Sequence, residues 1–243
     1  RGRHFVFFLE QLSFKVGVLM LSETWYTNNS SKLKLPGYAS FFSNRSDKRG
    51  GGVALYVTTE KKYHLVHEYC VSTEDYEMLT VSDQNEMFAV VYRPPGGNIR
   101  HFLAFYESFL DFTCKNNFHL TCGGDFNINI LDDSTTSTEF GTLLSSSGFK
   151  NLITTPTRIT CGTLSCLDHF IINAETKIYT TGTVASDISD HLPVYALNEN
   201  QRGIRNREVE TFTVQRITDN GLVPFKTEIM AQDWSCLGIN VRQ

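Results

Sequence analysis

The chain has 243 residues, 41% of them hydrophobic and 20% charged, a length that admits one large domain or two small ones. Its 18 Phe and 10 Tyr supply enough apolar surface to exclude intrinsic disorder, and no run of ~18 uncharged apolar residues is present to cross a membrane as a helix. The 22 basic and 26 acidic residues give a formal charge of −4. That excludes a bulk electrostatic nucleic-acid binder but not a nucleic-acid enzyme, whose catalytic carboxylates add negative charge that a metal offsets.

The opening Arg1-Gly2-Arg3-His4 and the interruptions at Glu10 and Lys15 do not form a secretory signal, so a nuclear or cytoplasmic location is expected. Six cysteines without CxxC spacing then read as reduced thiols, not as a disulfide framework or a zinc site.

In chain order, Phe5, Phe8, Leu9 and Leu12 share a helical stripe over 4–15. Val16 to Leu21 is apolar at nearly every position and predicts a buried strand. After a turn at Gly50-Gly51-Gly52, a strand is expected over Val53–Val57. Met78–Val81 and Met87–Tyr92 predict a hairpin that Pro94-Pro95-Gly96-Gly97 stops. Phe102, Phe105, Phe109 and Phe112 fall on one face of an amphipathic helix.

A strand over Phe118–Cys122 runs into Gly123-Gly124, and a shorter helix follows near Glu139–Ser146. Leu167–Ile172, Tyr179–Val184 and Leu192–Leu197 complete the strands. Strands in consecutive runs as well as in alternation with helices predict mixed sheets flanked by helices. A polar, basic stretch from Gln201 to Arg207 marks the domain edge near residue 199. Residues 200–243 read as a linker with a short helix over Leu222–Met230.

The polar residues gather where strands end. Glu23 follows the first strand; Asp125 and Asn127 close another; Asp168-His169 begins a third and Asp190-His191 leads into a fourth. If the backbone stays extended, Asp125 and Asn127 project together, ~7 Å apart, with Phe126 turned into the core. Period 2 likewise puts Asp168 and His169 on opposite faces. Asp168 is then free to orient His191 if their strands lie side by side, and His169 is the structural histidine. Such a rim of oxygen ligands suits Mg²⁺ and a phosphate. Singly, each carboxylate is equally well a turn or helix cap.

Taken in order, Leu21-Ser22-Glu23-Thr24-Trp25, Arg49-Gly50-Gly51-Gly52-Val53-Ala54, Val91-Tyr92-Arg93-Pro94-Pro95, Gly124-Asp125-Phe126-Asn127, Pro156-Thr157-Arg158, Leu167-Asp168 and Ser189-Asp190-His191 resemble the endonuclease/exonuclease/phosphatase superfamily. More closely, they are similar to the apurinic-type endonuclease domain at the start of a LINE (non-LTR) retrotransposon polyprotein. The resemblance covers roughly residues 4–197, and Phe225–Trp234 resembles the segment that leads to a reverse transcriptase.

The resemblance implies an α/β four-layer sandwich, two packed mixed sheets with helices outside, spanning 1–199. It implies divalent-metal-dependent phosphodiester hydrolysis that nicks target DNA and leaves a 3′ hydroxyl. Mg²⁺ is the expected ion, with Mn²⁺ able to substitute. Carried over, Glu23 binds the metal, His191 is the general base and Asp168 orients it. Asp125 positions the attacking water or the leaving group, and Asn127 holds the phosphate and helps orient Asp125. Asp190 lies at the metal or supports the site, Tyr92 contacts the phosphate, and Thr157 is a polar support there.

DNA is the expected partner, within a polyprotein fused to a reverse transcriptase. No membrane and no oligomer are implied. The alternatives are a phosphoesterase of the same superfamily acting on phosphoinositides and a non-catalytic retroelement remnant. The family's first strand carries a metal-site Asn about thirty residues before the Glu, whereas only 22 residues precede Glu23. That strand and that ligand are therefore expected to be missing from this sequence, with weaker metal binding and a frayed, aggregation-prone sheet edge.

Overall fold

A computed structural model describes residues 9, 16–27, 29–45, 50–173, 179–186 and 189–199. The helix expected over 4–15 and the linker and short helix expected within 200–243 lie outside these residues.

Two sheets form the centre. The first is built from β1 (Val18–Leu21), β2 (Tyr38–Ser43) and β3 (Val53–Thr58), all antiparallel in the order β1-β3-β2. The second has seven strands: β4 (His64–Leu65), β5 (Val71–Ser72), β6 (Glu77–Ser82), β7 (Glu86–Tyr92), β8 (His119–Asp125), β9 (Lys150–Asn151) and β12 (Asp168–Ile172). Its spatial order is β4-β6-β7-β8-β12-β9, with β5 also on β6. Only β7 and β8 run parallel, because α1 (Ile99–Lys115) carries the chain back between them. Two hairpins complete the set: β10 (Arg158–Thr160) with β11 (Thr163–Ser165), and β13 (Tyr179–Thr183) with β14 (Val194–Asn198).

Local chemistry explains the element ends. In the β6–β7 hairpin, the Asp83 carboxylate accepts the N–H groups of Asn85 and Glu86 at 2.8 and 2.6 Å, which closes the turn. Asn98 caps α1 by accepting from the N–H of Arg100 at 3.0 Å and of His101 at 3.3 Å. Ser134 does the same for α2 (Thr135–Ser146). That helix begins earlier than the apolar stripe suggests, because a cap is set by a polar residue upstream of it. The sequence pattern also passes over β2, whose Phe41 and Phe42 do not alternate with polar neighbours.

Alternation divides the seven-stranded sheet into two faces. Met78, Met87, Ala89, Val91, Leu120 and Cys122 face α1 and α2, against Phe102, Tyr106, Phe109 and Phe140. Leu79, Val81, Val90 and Tyr92 face the three-stranded sheet, against Val53, Leu55 and Val57. The helix–sheet–sheet order of the described residues gives three of the four layers expected, in the mixed α/β architecture, and every described strand and helix predicted from the sequence is present. No described helix is long and apolar enough to cross a membrane.

His169 sits on the helical face, fully buried between Phe126 and Phe140, with ring centroids 5.2 and 5.5 Å away. Its Nε2–H donates to the Ile128 carbonyl at 2.9 Å and its Nδ1 accepts from the Asn151 amide at 3.0 Å. Burial lowers its pKa to about 4. An imidazole that stays neutral in the fold but charges in the unfolded chain near pH 6.5 makes the unfolded state bind more protons between those values. Stability is therefore complete above pH 6.5 and falls as pH drops toward 4, by about 3 kcal/mol at most. Denaturant midpoints measured from pH 8 to pH 4 should show this acid slope in the wild type and a shallower one in His169→Gln.

Candidate active site

The site is assembled on one rung of the seven-stranded sheet. In the β7–β8 pair Tyr92 lies opposite Asp125, and in the β8–β12 pair Asp125 lies opposite Asp168. Three side chains from three strands thus share one face at one level. The parallel strands approach closely because of Gly124. Its φ is +139°, and a Cβ there would stand 2.0 Å from the Val91 carbonyl oxygen, so no other residue fits.

After Asp125 the chain turns instead of continuing. Phe126 plunges into the helical core, edge-on to Tyr106 at 5.7 Å, and Asn127 takes φ +49°. This corrects the extended-backbone expectation. The two side chains do meet, but through a left-handed turn: the Asn127 N–H donates to Asp125 Oδ1 at 3.0 Å and its Nδ2 donates to Asp125 Oδ2 at 3.0 Å. Arg93 holds the turn. Its buried guanidinium donates to the carbonyls of Phe126 at 2.8 Å, Asn127 at 2.7 Å, Gly97 at 3.0 Å and Pro94 at 3.2 Å. Sequence reading gave Arg93 no role; the only signal was its place between Tyr92 and the double proline.

His191 reaches the rung from the segment that leads into β14. An isolated bridge to Arg158 and a Leu192 N–H bond to the Thr157 carbonyl at 2.7 Å hold it. Its Nδ1–H donates to Asp168 Oδ2 at 2.8 Å, which leaves Nε2 as the proton-accepting atom. That hydrogen bond, with burial opposing it, raises the His191 pKa above its ordinary value. Asp125, Asp168 and His191 each offer an atom within 4.8 Å of the others. Burial, followed by the charge of Asp168, pushes Asp125 up to about 7.

The other expected residues fall around this group. Glu23 has φ +51° and accepts a hydrogen bond from the Tyr92 hydroxyl and another, at 3.4 Å, from the Trp25 indole N–H. Its charge adds to the upward pressure on Asp125. Asp190 is not in the group: it is largely exposed and pairs with Arg158 at 2.8 Å. Thr157 is fully buried, and its Oγ1 accepts from the N–H groups of Leu167 and Asp168 at 3.0 and 3.1 Å. It therefore positions Asp168 and presents no hydroxyl surface to a phosphate.

The sequence model of the Endonuclease/Exonuclease/phosphatase family matches residues 9–191. The chain belongs to that family. Family members hydrolyse phosphate esters with divalent metals, and the Asp125, Asp168 and His191 group, with its two carboxylates, has donor chemistry that suits a hard divalent ion. Among solved structures, the endonuclease domain of TRAS1, a telomere-specific non-LTR retrotransposon, superposes with a TM-score of 0.57 at 15% identity, over 76% of this chain and 87% of that one. The 3′-5′ exonuclease NExo of Neisseria meningitidis gives 0.62 at 15%, over 81% and 93%. The AP endonuclease LMAP of Leishmania major gives 0.59 at 15%, over 77% and 79%. At such identities these likenesses establish the fold. No curated protein matches the chain.

Thr157 supplies a sharp test of how the endonuclease/exonuclease/phosphatase site is held. Thr157→Val leaves two buried N–H groups without an acceptor, at about 1–3 kcal/mol for each unsatisfied group. It should lower the denaturation midpoint and the catalytic rate together, while Thr157→Ser keeps both.

Proposed function

We propose that this chain is an endonuclease dependent on Mg²⁺, with Mn²⁺ able to substitute, that nicks one strand of target DNA and leaves a 3′ hydroxyl for retrotransposition. The observation that carries the reading is the Asp168–His191 hydrogen bond set beside Asp125 on one rung.

Glu23 is the carboxylate that holds the ion, which when bound stabilises negative charge growing on the phosphoryl oxygens. His191 Nε2 takes the proton of the attacking water, and Asp168 fixes its tautomer and steadies the imidazolium that forms. Asp125, raised to about 7 by burial and by Asp168, retains a proton that it can give to the departing 3′ oxygen. The Asn127 amide gives both of its hydrogens away, one to Asp125 and one to the Arg93 carbonyl at 2.8 Å, and so keeps that carboxyl aimed. Tyr92 adds its hydroxyl at the phosphate.

Two further observations support DNA over a soluble phosphoester. Trp25 exposes half of its surface (52%) at the rim beside Glu23, and an indole face suits stacking on a base. The similarity to a retrotransposon endonuclease domain spans most of both chains. In this reading residues 200–243 lead toward a reverse transcriptase in the same polyprotein.

Supercoiled plasmid with Mg²⁺ should be converted to open circles whose ends a polymerase extends. Chelator should stop the reaction, and His191→Ala should slow it by ~10²–10⁴-fold. Trp25→Ala should weaken duplex binding, read by anisotropy of a labelled oligonucleotide. Phosphate release from inositol phosphates without plasmid nicking would instead establish the phosphoesterase. Failure to cut any phosphoester, with His191→Ala indistinguishable from wild type, would mark a non-catalytic remnant.

A further inference from the structure

Beneath Glu23 and Tyr92 lies an ion pair that the chemistry above does not use. Glu77 is fully buried, and Arg45 pairs with its Oε1 at the inner edge of the sandwich. Burying two charges costs several kcal/mol each before their attraction is counted, and a hydrophobic pair of similar volume often serves stability as well or better. Stability alone therefore does not account for this pair.

The surroundings supply a reason. Glu77 stands directly opposite Tyr92 in the β6–β7 register, so it extends the catalytic rung by one strand. The Arg45 guanidinium lies over the Tyr92 ring, 5.7 Å from its centroid. Glu77 Oε2 accepts the Gly52 N–H at 2.6 Å. The Gly50–Gly52 loop wraps the pair so tightly that a Cβ on Gly51 would stand 2.5 Å from Glu77 Oε1 and 2.7 Å from Arg45 Nε. The outer side of that loop holds the Glu23 segment: the Gly52 and Gly51 carbonyls accept the N–H groups of Thr24 at 3.0 Å and Trp25 at 2.9 Å. Glu23 and Trp25 flank Thr24 in left-handed conformations, at φ +51° and +55°, which L-residues adopt only when their neighbours enforce it. The circuit closes where Tyr92 donates to Glu23.

We propose that the Arg45–Glu77 pair is a positioning device that sets the Glu23 carboxylate and the Tyr92 hydroxyl for the divalent ion. Glu77 acts through the Gly52 N–H and the loop, and Arg45 acts through the Tyr92 ring. The inference rests on the reading of Glu23 as the metal ligand.

Its test is Mn²⁺ affinity of the full chain by calorimetry, alongside melting in chelator. Arg45→Met/Glu77→Gln removes both charges, keeps an acceptor for the Gly52 N–H, and leaves no lone buried ion. Its melting temperature in chelator should stay within about 4 °C of wild type, while its Kd for Mn²⁺ rises ten- to hundredfold, the range seen when outer-shell partners of metal ligands are removed. Arg45→Lys keeps the charge without the planar fork and should give an intermediate Kd.

Glu23→Gln serves as the reference. If it weakens Mn²⁺ binding while the double variant binds like wild type, the positioning role is wrong and the reading of Glu23 stands. If Glu23→Gln also binds like wild type, both fall. A double variant that is unfolded in chelator would make the pair a structural element of the loop and overturn its assignment as a positioning device.

Discussion

The site depends on the pairing of two carboxylates. Asp125 and Asp168 are directly opposed across an antiparallel pair, a placement that like charges ordinarily make unfavourable. Strand register enforces it. A slip of β12 by one residue would turn Asp168 into the helical core, among Met87, Cys122 and Phe109, and would bring His169 out of it. The core therefore pins the carboxylates together even though they repel. What relieves the repulsion is also what equips the site: the imidazole of His191 on Asp168 and the amide of Asn127 on Asp125. The upward shift of Asp125 follows from the same opposition.

Strain is concentrated around this rung. Three of the four non-glycine residues with positive φ among the described residues are Glu23, Trp25 and Asn127, each at or beside the site. Left-handed backbone costs about 1–2 kcal/mol per residue, so each needs an external restraint. Asn127 has Arg93, which grips the carbonyls of both Phe126 and Asn127. Glu23 and Trp25 have the backbone bonds to Gly51 and Gly52. Phe126, wedged between Tyr106, Phe140 and His169, anchors the first of these turns. The apolar core on one face and the polar site on the other are in this way one mechanical unit.

Much of this was legible in the sequence because it is local or periodic. The strands that end in Asp125 and begin at Asp168, the helical stripe of Phe102 to Phe112, and the opposite facing of Asp168 and His169 all follow from periods of 2 and 3.6. What escaped was non-local. Nothing in the neighbourhood of Arg45 or Glu77 marks them as partners, since 32 positions of chain separate them and only the fold of β2 and β3 closes the gap. Thr157 and Arg93 look like parts of motifs, yet their work is to hold backbone elsewhere. Alternation is the wrong reason for Asn127 to lie beside Asp125, because the strand ends at Asp125, before Asn127.

The distribution of positive charge decides how such a site meets a polyanion. Arg93 is spent on four carbonyls, Arg45 on Glu77, and Arg158 on Asp190. Among the described residues, these guanidinium groups are thus frame, not lure. Glu23 and Asp168 carry negative charge beside the rung, and like unit charges about 5 Å apart at an effective dielectric of ~20 repel by about 3 kcal/mol. A phosphodiester therefore cannot approach these carboxylates favourably on the strength of the protein's own cations. A divalent ion held by the carboxylates reverses the sign of that interaction. Under the proposed function, a chain of net charge −4 draws phosphate through the ion held at its carboxylates, and not through the described guanidinium groups.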